Sequence, residues 1–430
     1  MTRHDTLMEG CRVLDLAEDG CCLAGKILGD MGADVIKIEP PGGSPTRNKG
    51  PFHKDIPDPE RSLFWFATNL HKRGITLNLE TAEGRAIFKR LVEASDIVIE
   101  GFAPGYMEGL GLGYRDLERV NPGIVMTSIT PFGQSGPYAH YKGSDIVGVA
   151  MGGMQRLFGD PDRAPVRISQ PEFFLFGGLH GALGSLMAFY HRAMSGEGQH
   201  VDVSCQQGIV LALMITSEIW DILHINYRGR AIEMMSIRPP DAPPLRLPLV
   251  WPCKDGYVLF MIGGGELGAA RSSKNMVELA NEHGYALELT DYDWIGSWDT
   301  RTMDQEQFDR VMNPIAEFML TQTKMELFEA AARPDKEFRL APMNTVKDVL
   351  EFPQFLHRGF FVQVEHPELG ETLTYPGFPI KMWGPGQEPV APYRVQRRAP
   401  LLGEHNSEVY EKRLGMSPEE LVLLKNHGVI

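Results

Sequence analysis

Residues 11–43 read CRVLDLAEDGCCLAGKILGDMGADVIKIEPPGG, and this stretch decides the fold class. Cys11–Leu16 and Val35–Glu39 are short aliphatic runs that predict strands, and Leu23–Met31 between them predicts a helix. The prolines and glycines of residues 40–43 end the second strand, because proline cannot donate to a sheet ladder. A strand, a helix and another strand in succession indicate parallel strands joined by a crossover helix.

The same alternation continues along the first half of the chain. Gly74–Leu79, Ile97–Glu100 and Ile124–Ile129 predict further strands, and Thr81–Ala94 predicts an amphipathic helix with its apolar residues on one face. We therefore expect an α/β fold in which helices cover a parallel sheet.

The second half begins with a change in composition. Ser236–Pro252 holds six prolines, so it predicts a linker into another unit. That unit is expected to contain a hairpin over Leu249–Ile262 and helices over Ser273–Arg333.

Composition and charge exclude several classes of protein. The chain has 430 residues, with 42 Lys and Arg against 56 Asp and Glu, so its formal net charge is −14. Apolar residues at 43% and charged residues at 23% are ordinary globular values, which exclude a disordered or fibrous chain and suggest two or three domains. The acidic balance argues against a nucleic-acid partner, because the phosphate backbone is bound by clustered cations and no basic stripe is present.

Cysteine usage and the N-terminus favour a cytoplasmic location. The five cysteines form no CxxC pair and have no histidines at zinc spacing, which is typical of a reducing compartment and predicts neither disulfides nor a metal site. The N-terminus lacks the apolar core of a signal peptide. Phe173–Tyr190 is uncharged and nearly long enough to span a membrane, but His180, Ser185 and its glycines favour a helix buried in protein, so no membrane partner is expected.

Two motifs carry weak functional signals of their own. Gly263–Gly268 matches GxGxxG, but the strand before it belongs to the predicted hairpin and no clear strand follows, so a flexible turn is favoured over an NAD site. Lys72, at a loop-to-strand junction, is a candidate phosphate ligand, with a solvated surface lysine as the alternative. No GxSxG nucleophile elbow is present.

Short motifs follow one another along nearly the whole chain. They are Leu14–Leu16, Leu28–Gly42 with Arg47, Asn69–Leu77, Phe102–Gly105, Leu110-Gly111, Asn121-Pro122, Phe132–Pro137, Ser195–Ser204 and Ala399–His405. In this order they resemble the family III CoA-transferases, which include formyl-CoA and carnitine CoA-transferases and the α-methylacyl-CoA racemases.

The resemblance implies an architecture and a reaction. A Rossmann-like large domain would comprise residues 1–224 with about 345–430, and a linker and smaller α+β domain about 225–344, with two chains interlocked as a dimer. Family members move CoA from a thioester to a free carboxylate. An aspartate attacks the thioester to form a mixed anhydride, and the CoA thiolate then forms an aspartyl-CoA thioester that the acceptor acid resolves. The CoA thioester is a substrate, and no tightly bound cofactor is implied.

The sequence departs from the family pattern at the nucleophile. Aligning Gly178 and Gly184 with the family's two glycines puts Phe174 at the position of the catalytic aspartate, and a phenyl ring cannot attack a thioester. Glu172 is the nearest carboxylate and the candidate catalytic residue, but two residues on a helix differ by about 200° in direction. Glu172 also completes a predicted capping box with Ser169, which favours a structural role.

Other matched positions retain CoA-binding capacity. The resemblance implies cofactor-binding roles for Gly20, Arg47, Lys72, Phe102 and Ala103. Racemase activity is not expected, because Ser144 stands where the racemase histidine would be.

We therefore expect one subunit of a heteromeric CoA-transferase, whose homologous partner supplies the aspartate. The reaction would move CoA between a thioester such as succinyl-CoA and a carboxylic acid, in bacterial catabolism. An active homodimer that uses Glu172 and a non-enzymatic subunit that binds CoA thioesters are the alternatives, and an NAD-dependent enzyme is the most distant one.

Overall fold

The structure, a computed structural model, describes residues 6–160, 163–226, 245–336, 339–384, 386, 389–390 and 393–430. The predicted linker Ser236–Pro252 lies outside the described residues up to position 244. Two compact units are present. The first takes in the described residues of Met1–Gln155, Arg167–Asn226 and Gln354–Ile430, and the second those of Arg156–Val166 and Tyr227–Pro353. The division predicted near residues 224 and 345 stays a prediction about independently folding domains.

Strands and helices are numbered in chain order. The strands are β1 (Arg12–Asp15), β2 (Asp34–Glu39), β3 (Arg73–Thr76), β4 (Ile97–Glu100), β5 (Val125–Thr130), β6 (Gln199–Ser204), β7 (Val250–Cys253), β8 (Gly256–Phe260), β9 (Leu340–Pro342), β10 (Phe361–His366), β11 (Glu371–Pro376), β12 (Met382–Trp383) and β13 (Pro389–Val390). The helices are α1 (Leu23–Asp30), α2 (Leu63–Thr68), α3 (Ala82–Glu93), α4 (Tyr106–Gly109), α5 (Tyr114–Val120), α6 (Asp145–Met151), α7 (Glu172–Ser195), α8 (Cys205–Leu211), α9 (Met214–Leu223), α10 (Leu267–Glu282), α11 (Gln305–Thr321), α12 (Lys324–Ala331), α13 (Val346–Glu351), α14 (Pro353–His357) and α15 (Pro418–Asn426).

The first unit is built on a parallel six-stranded sheet in the order β3-β2-β1-β4-β5-β6. Val13 and Leu14, neighbours on β1, are both fully buried and belong to different core clusters, because helices cover both faces of the sheet. The predicted α/β class and Rossmann-like sheet are confirmed. Thr81 caps α3 by accepting a hydrogen bond from the Gly84 amide, so this helix begins where the sequence predicts.

The second unit has a different architecture. Its three strands pair antiparallel in the order β7-β8-β9, and Trp251, Phe260 and Phe308 lie in the core that they share with α10 to α12. This arrangement is the α+β type that was expected. The GxGxxG run follows β8, whose partners among the described strands are both antiparallel, so the described residues form no parallel βαβ unit of the kind that an NAD fingerprint needs there. Gly264 instead packs where a Cβ would lie 2.1 Å from the Trp294 carbonyl oxygen.

Helix α7 is the helix that the sequence predicts to be buried. By length and composition it could cross a membrane, although one such helix is weak evidence for a membrane protein. One face, with Gly177, Gly181 and Ala182, is buried, and a Cβ on Gly181 would lie 2.4 Å from Ile129 of β5. The opposite face is not buried in the single chain. Five apolar side chains on it are between 49% and 67% exposed, namely Leu179, Leu183, Met187, Tyr190 and Met194.

Candidate active site

Two loops meet at the carboxyl edge of the parallel sheet. β1 and β4 are neighbours, and the chain leaves them toward opposite ends of the sheet, which makes this the topological switch point where α/β folds bind ligands. The loop after β1 carries Gly20, and the loop after β4 carries Phe102 and Ala103. A Cβ on Gly101 would lie 3.9 Å from the Glu18 amide nitrogen, so the two loops touch. Three of the residues predicted to bind CoA therefore lie on two loops that touch at the switch point.

The loop after β1 is fixed by contacts from β2 and from the segment that follows β2. Lys37, fully buried, donates a hydrogen bond to the Ala17 carbonyl oxygen. Thr46 hydroxyl oxygen accepts the Asp19 amide at 2.7 Å and lies 2.6 Å from the Glu18 carboxylate. Asp19 has a φ of 56°, a left-handed conformation that is uncommon for a residue other than glycine. These internal contacts fix the conformation of the loop without a ligand.

Lys72 lies beneath the same loop instead of on the surface. Its ammonium is 2.7 Å from the Asp15 carboxylate, 2.7 Å from the Cys22 carbonyl oxygen and 2.9 Å from the Asn69 amide oxygen. The side chain is completely buried. The alternative of a solvated surface lysine is therefore wrong, because the ammonium forms an ion pair with Asp15 and donates hydrogen bonds to Cys22 and Asn69.

Arg47 is placed in a similar way. Its guanidinium forms a bidentate pair with Glu39 at 2.6 and 2.8 Å, a second pair with Glu60 at 2.8 Å, and stacks 3.9 Å above the Trp65 ring. A CoA-binding role for Arg47 or Lys72 requires exchange of these partners. That role stays a prediction, while the hydrogen bond from Lys72 to the Cys22 carbonyl oxygen supports the loop after β1 directly.

The first turn of α7 packs against the loop after β1. A Cβ on Gly20 would lie 2.7 Å from the Leu175 backbone nitrogen and 2.8 Å from the Phe174 backbone carbon, so only glycine allows this approach. A Cβ on Gly178 would in turn lie 2.7 Å from the Gly20 carbonyl oxygen. The residue at position 174 is therefore held beside the switch point by backbone contacts.

Phe174 is a packing residue in this structure. Its ring meets Phe173 edge to face, with ring centroids 5.0 Å apart, and packs partly buried against the core cluster on that side of the sheet. An apolar ring thus lies where the resemblance places the family's nucleophile.

The predicted capping box of Ser169 and Glu172 is wrong. Helix α7 begins at Glu172 itself, and its N-cap is Pro171, which forms no side-chain capping bond. The capping oxygen comes from another helix, because Asp145 Oδ1 accepts the Phe173 amide at 3.0 Å. The partly exposed Glu172 carboxylate has no hydrogen-bond or ion-pair partner among the described residues.

A row of polar side chains that sequence reasoning missed runs from the carboxyl end of β4 across β5 to β6. Glu100 ends β4, Ser128 pairs with it on β5, and His200 Nε2 lies 2.9 Å from the Ser128 hydroxyl oxygen. Burial raises the pKa of Glu100 to about 7. Hydrogen bonds from the Ser128 hydroxyl and the Phe102 amide act in the opposite direction, because they favour the ionised form. Burial lowers the pKa of His200, while the charge of Asp202 raises it.

Thr130 ends β5 on the same face as Ser128, because alternate residues of a strand share a face. The side chain is fully buried, and its hydroxyl oxygen has no hydrogen-bond partner in the described part of the chain. The signal for this row was available: polar residues at the ends of IVIE and VMTSIT stand out from otherwise apolar strands.

Other chemistries find little support in the described residues. Among them, no group of three His, Cys, Asp or Glu side chains could hold a metal ion. All five cysteines are free and buried, and burial raises the pKa of the Cys22 thiol to about 12, which disfavours a thiolate nucleophile.

Comparison with known proteins decides the family. A family model described as CoA-transferase family III matches residues 8–406. The chain belongs to CoA-transferase family III. The members that it resembles are named as CoA-transferases, so the predicted enzyme class and the use of CoA thioester substrates are those of the family.

Two curated relatives in this family match the chain over nearly its full length. Succinyl-CoA:(R)-benzylsuccinate CoA-transferase subunit BbsE of Thauera aromatica is 32% identical over 401 residues, which cover 93% of this chain and 92% of that protein. Succinyl-CoA--D-citramalate CoA-transferase of Chloroflexus aurantiacus is 33% identical over 428 residues, covering 98% of each. The crystal structure of a CAIB/BAIF family protein from Brucella suis superposes with a TM-score of 0.76 at 26% identity, covering 95% of this chain and all of that one.

Proposed function

We propose that this chain is the non-nucleophilic subunit of a heteromeric family III CoA-transferase, which moves CoA between succinyl-CoA and a carboxylic acid. Its partner is a homologous chain that carries the aspartate. The single observation that carries the proposal is Phe174, which lies beside Gly20 at the position where the resemblance to the family puts the catalytic carboxylate.

The named relatives support this division of labour. BbsE is named as a subunit, and another relative of 28% identity is named as the beta subunit of a succinyl-CoA--L-malate CoA-transferase. Both names contain succinyl-CoA, which makes it the first CoA donor to test, and benzylsuccinate and citramalate are the first acids.

The exposed face of α7 supports assembly with a second chain. Leu179, Leu183, Met187, Tyr190 and Met194 recur at spacings of three and four residues, so they form one apolar stripe along the helix. A contiguous exposed apolar stripe is typical of an interface. An interlocked dimer with a homologue, in the cytoplasm and without nucleic acid or membrane as partner, stays our prediction.

Glu172 supports a second candidate, an active homodimer. Its carboxylate is released from the predicted capping role, is partly exposed, and lies at the N-terminus of a 24-residue helix whose dipole favours an anion. It points about 200° away from the direction of position 174, which is why we place this candidate second. A non-enzymatic subunit that binds CoA thioesters is the third.

One trapping experiment separates the three. The chain is expressed alone and together with an aspartate-bearing homologue, offered succinyl-CoA, and treated with hydroxylamine, after which mass spectrometry locates the modified carboxyl. The proposal expects no label on the chain alone and label on the partner's aspartate in the complex. Glu172→Gln serves as the variant, with Glu93→Gln on α3 as the matched control.

Each outcome decides between the candidates. Label on Glu172 that disappears in Glu172→Gln would overturn the proposal and support the homodimer. A complex that binds CoA but transfers none, with no label on either chain, would favour the non-enzymatic subunit.

A further inference from the structure

The loop after β4 is held at its start by a buried carboxylate. Glu100 Oε2 accepts a hydrogen bond from the Phe102 backbone amide at 2.7 Å, and the Glu100 side chain is 3% exposed. Phe102 and Ala103 follow immediately and are predicted to contact CoA. The conformation of this loop therefore depends on a group that solvent does not reach directly.

A hydrogen-bonded chain connects this carboxylate to the edge of the sheet. Ser128 lies directly opposite Glu100 in the sheet register, where a hydrogen bond from its hydroxyl favours the ionised carboxyl, and His200 Nε2 lies 2.9 Å from the Ser128 oxygen. His200 is on the edge strand β6, is exposed, and stacks with its ring 5.6 Å from Tyr114. This series of hydrogen bonds thus connects the switch point to solvent through one buried hydroxyl, that of Ser128.

We propose that Glu100 is a positioning residue for the CoA thioester, which fixes the Phe102–Ala103 loop and exchanges its proton with solvent through Ser128 and His200. The inference rests on the proposed function, since it concerns the CoA site of the same chain.

The hydrogen bonds that join His200, Ser128 and Glu100 have two possible arrangements, which differ by one proton. When Glu100 is ionised, His200 Nε2–H donates to the Ser128 oxygen and the Ser128 hydroxyl donates to the carboxylate. When His200 takes a proton on Nδ1, Nε2 passes its proton to Ser128, and the Ser128 proton moves to Glu100. The result is a neutral acid that donates to Ser128, and a neutral imidazole that accepts from it.

The charges around Glu100 set the pH at which this proton exchange occurs. Glu108 of α4 and Asp202 of β6 face both Glu100 and His200, and their negative charges favour proton uptake by either group. The hydrogen bonds of Ser128 and Phe102 oppose it at Glu100. Burial raises the pKa of Glu100 to about 7, which places the exchange near neutral pH.

The ionised form holds the loop more strongly. A hydrogen bond to a carboxylate is charge-assisted and stronger than one to a neutral acid, so the Phe102 amide is best fixed above the Glu100 pKa. CoA affinity should therefore fall as the pH drops through neutrality. Because the phosphates of CoA titrate as well, the informative quantity is the ratio of dissociation constants between a variant and the wild type at each pH.

The test uses the full chain, CoA itself as the probe, and isothermal titration calorimetry between pH 5.5 and 8.5. Glu100→Gln keeps an oxygen acceptor for the Phe102 amide but cannot ionise. Its dissociation constant should match the wild type at pH 5.5 and be roughly fivefold larger at pH 8.5, with the change centred near pH 7. Glu93→Gln, an exposed glutamate at the far end of α3, should give a ratio of one throughout.

A second variant keeps the inference testable if Glu100→Gln does not fold. Ser128→Ala removes a hydrogen bond that favours the ionised carboxylate, so the pH at which CoA affinity changes should rise. A merely structural role for Ser128 would weaken binding equally at every pH. Flat ratios for both variants, with CoA bound, would overturn this inference and leave the proposed function standing, whereas no CoA binding at any pH, alone or in the complex, would overturn both.

Discussion

Asp145 Oδ1 accepts the backbone amide of Phe173 at 3.0 Å and so caps the helix that carries positions 172 and 174. The acid belongs to the first residue of α6, 27 residues before the start of α7. Since this long-range bond satisfies the helix end, the carboxylate of Glu172 is not needed for it.

We expect Asp145→Ala to lower the free energy of unfolding by about 1 kcal/mol, the usual cost of losing a helix cap. Asp145→Asn retains an oxygen acceptor and should restore most of this stability. Urea denaturation measures both. Ser169→Ala is the control, because Ser169 would be the cap if the sequence-based assignment held; a larger loss for Ser169→Ala than for Asp145→Ala would refute the cap described here.

Gly20→Ala tests the contact between the loop after β1 and α7. The added Cβ would meet backbone atoms of Phe174 and Leu175 below 3 Å, which neither element can relieve by a side-chain movement. Overpacking of this kind costs about 1–3 kcal/mol in thermal or urea unfolding. Gly42→Ala is the matched change, because a Cβ there has no atom within 4 Å, and equal stability of the two variants would contradict the tight approach.

Lys72→Met tests whether Lys72 stabilises the fold or serves only to bind a ligand. The change leaves the Asp15 carboxylate buried without its cation, for which we expect a loss of about 3–5 kcal/mol in the absence of any ligand. Lys54→Met removes an exposed pair with Glu371 and should cost less than about 1 kcal/mol. If Lys72→Met unfolded at the wild-type urea concentration and lost only CoA affinity, its ion pair with Asp15 would be incidental.

Glu100 also predicts a pH dependence of stability. Burial raises its pKa to about 7 in the folded chain, above the value near 4.5 of an exposed glutamate, so the folded state binds the extra proton between these values. Its contribution to stability is therefore present at pH 4.5 and lost as the pH rises through 7. Relative to wild type, Glu100→Gln should gain on the order of 3 kcal/mol between pH 4.5 and 8.5. A difference in unfolding free energy that does not change with pH would contradict this.

Much of the first unit could be predicted from residues 11–43 alone. Aliphatic runs separated by helix-forming residues have few alternatives to parallel strands. Helix α3 also begins where the sequence predicts, with Thr81 as its N-cap. The order of the strands was less accessible, because β1 pairs with β4 across more than 80 residues and nothing local records this pairing.

The candidate site was harder to predict because its side chains come together only through the tertiary fold. From the sequence, Lys72 is a candidate phosphate ligand or a surface lysine, and its burial follows only when the fold brings Asp15 and Cys22 around it. Ser169 and Glu172 have the spacing of a capping box, but Asp145 competes for the same amide from a different helix. Glu100, Ser128 and His200 lie on three strands, and only strand pairing in the sheet brings their side chains together.

The glycine contacts of α7 have an evolutionary consequence. Gly20 and Gly178 fix the helix against the loop after β1 through backbone atoms, so the placement of the helix does not depend on which side chain stands at position 174. Under the proposed function, one copy of a duplicated gene exchanges the carboxylate for an aromatic ring at this position by changing one codon, while its architecture persists. Catalytic and silent copies of this fold are thus separated by a short mutational path, which a lineage can travel in either direction.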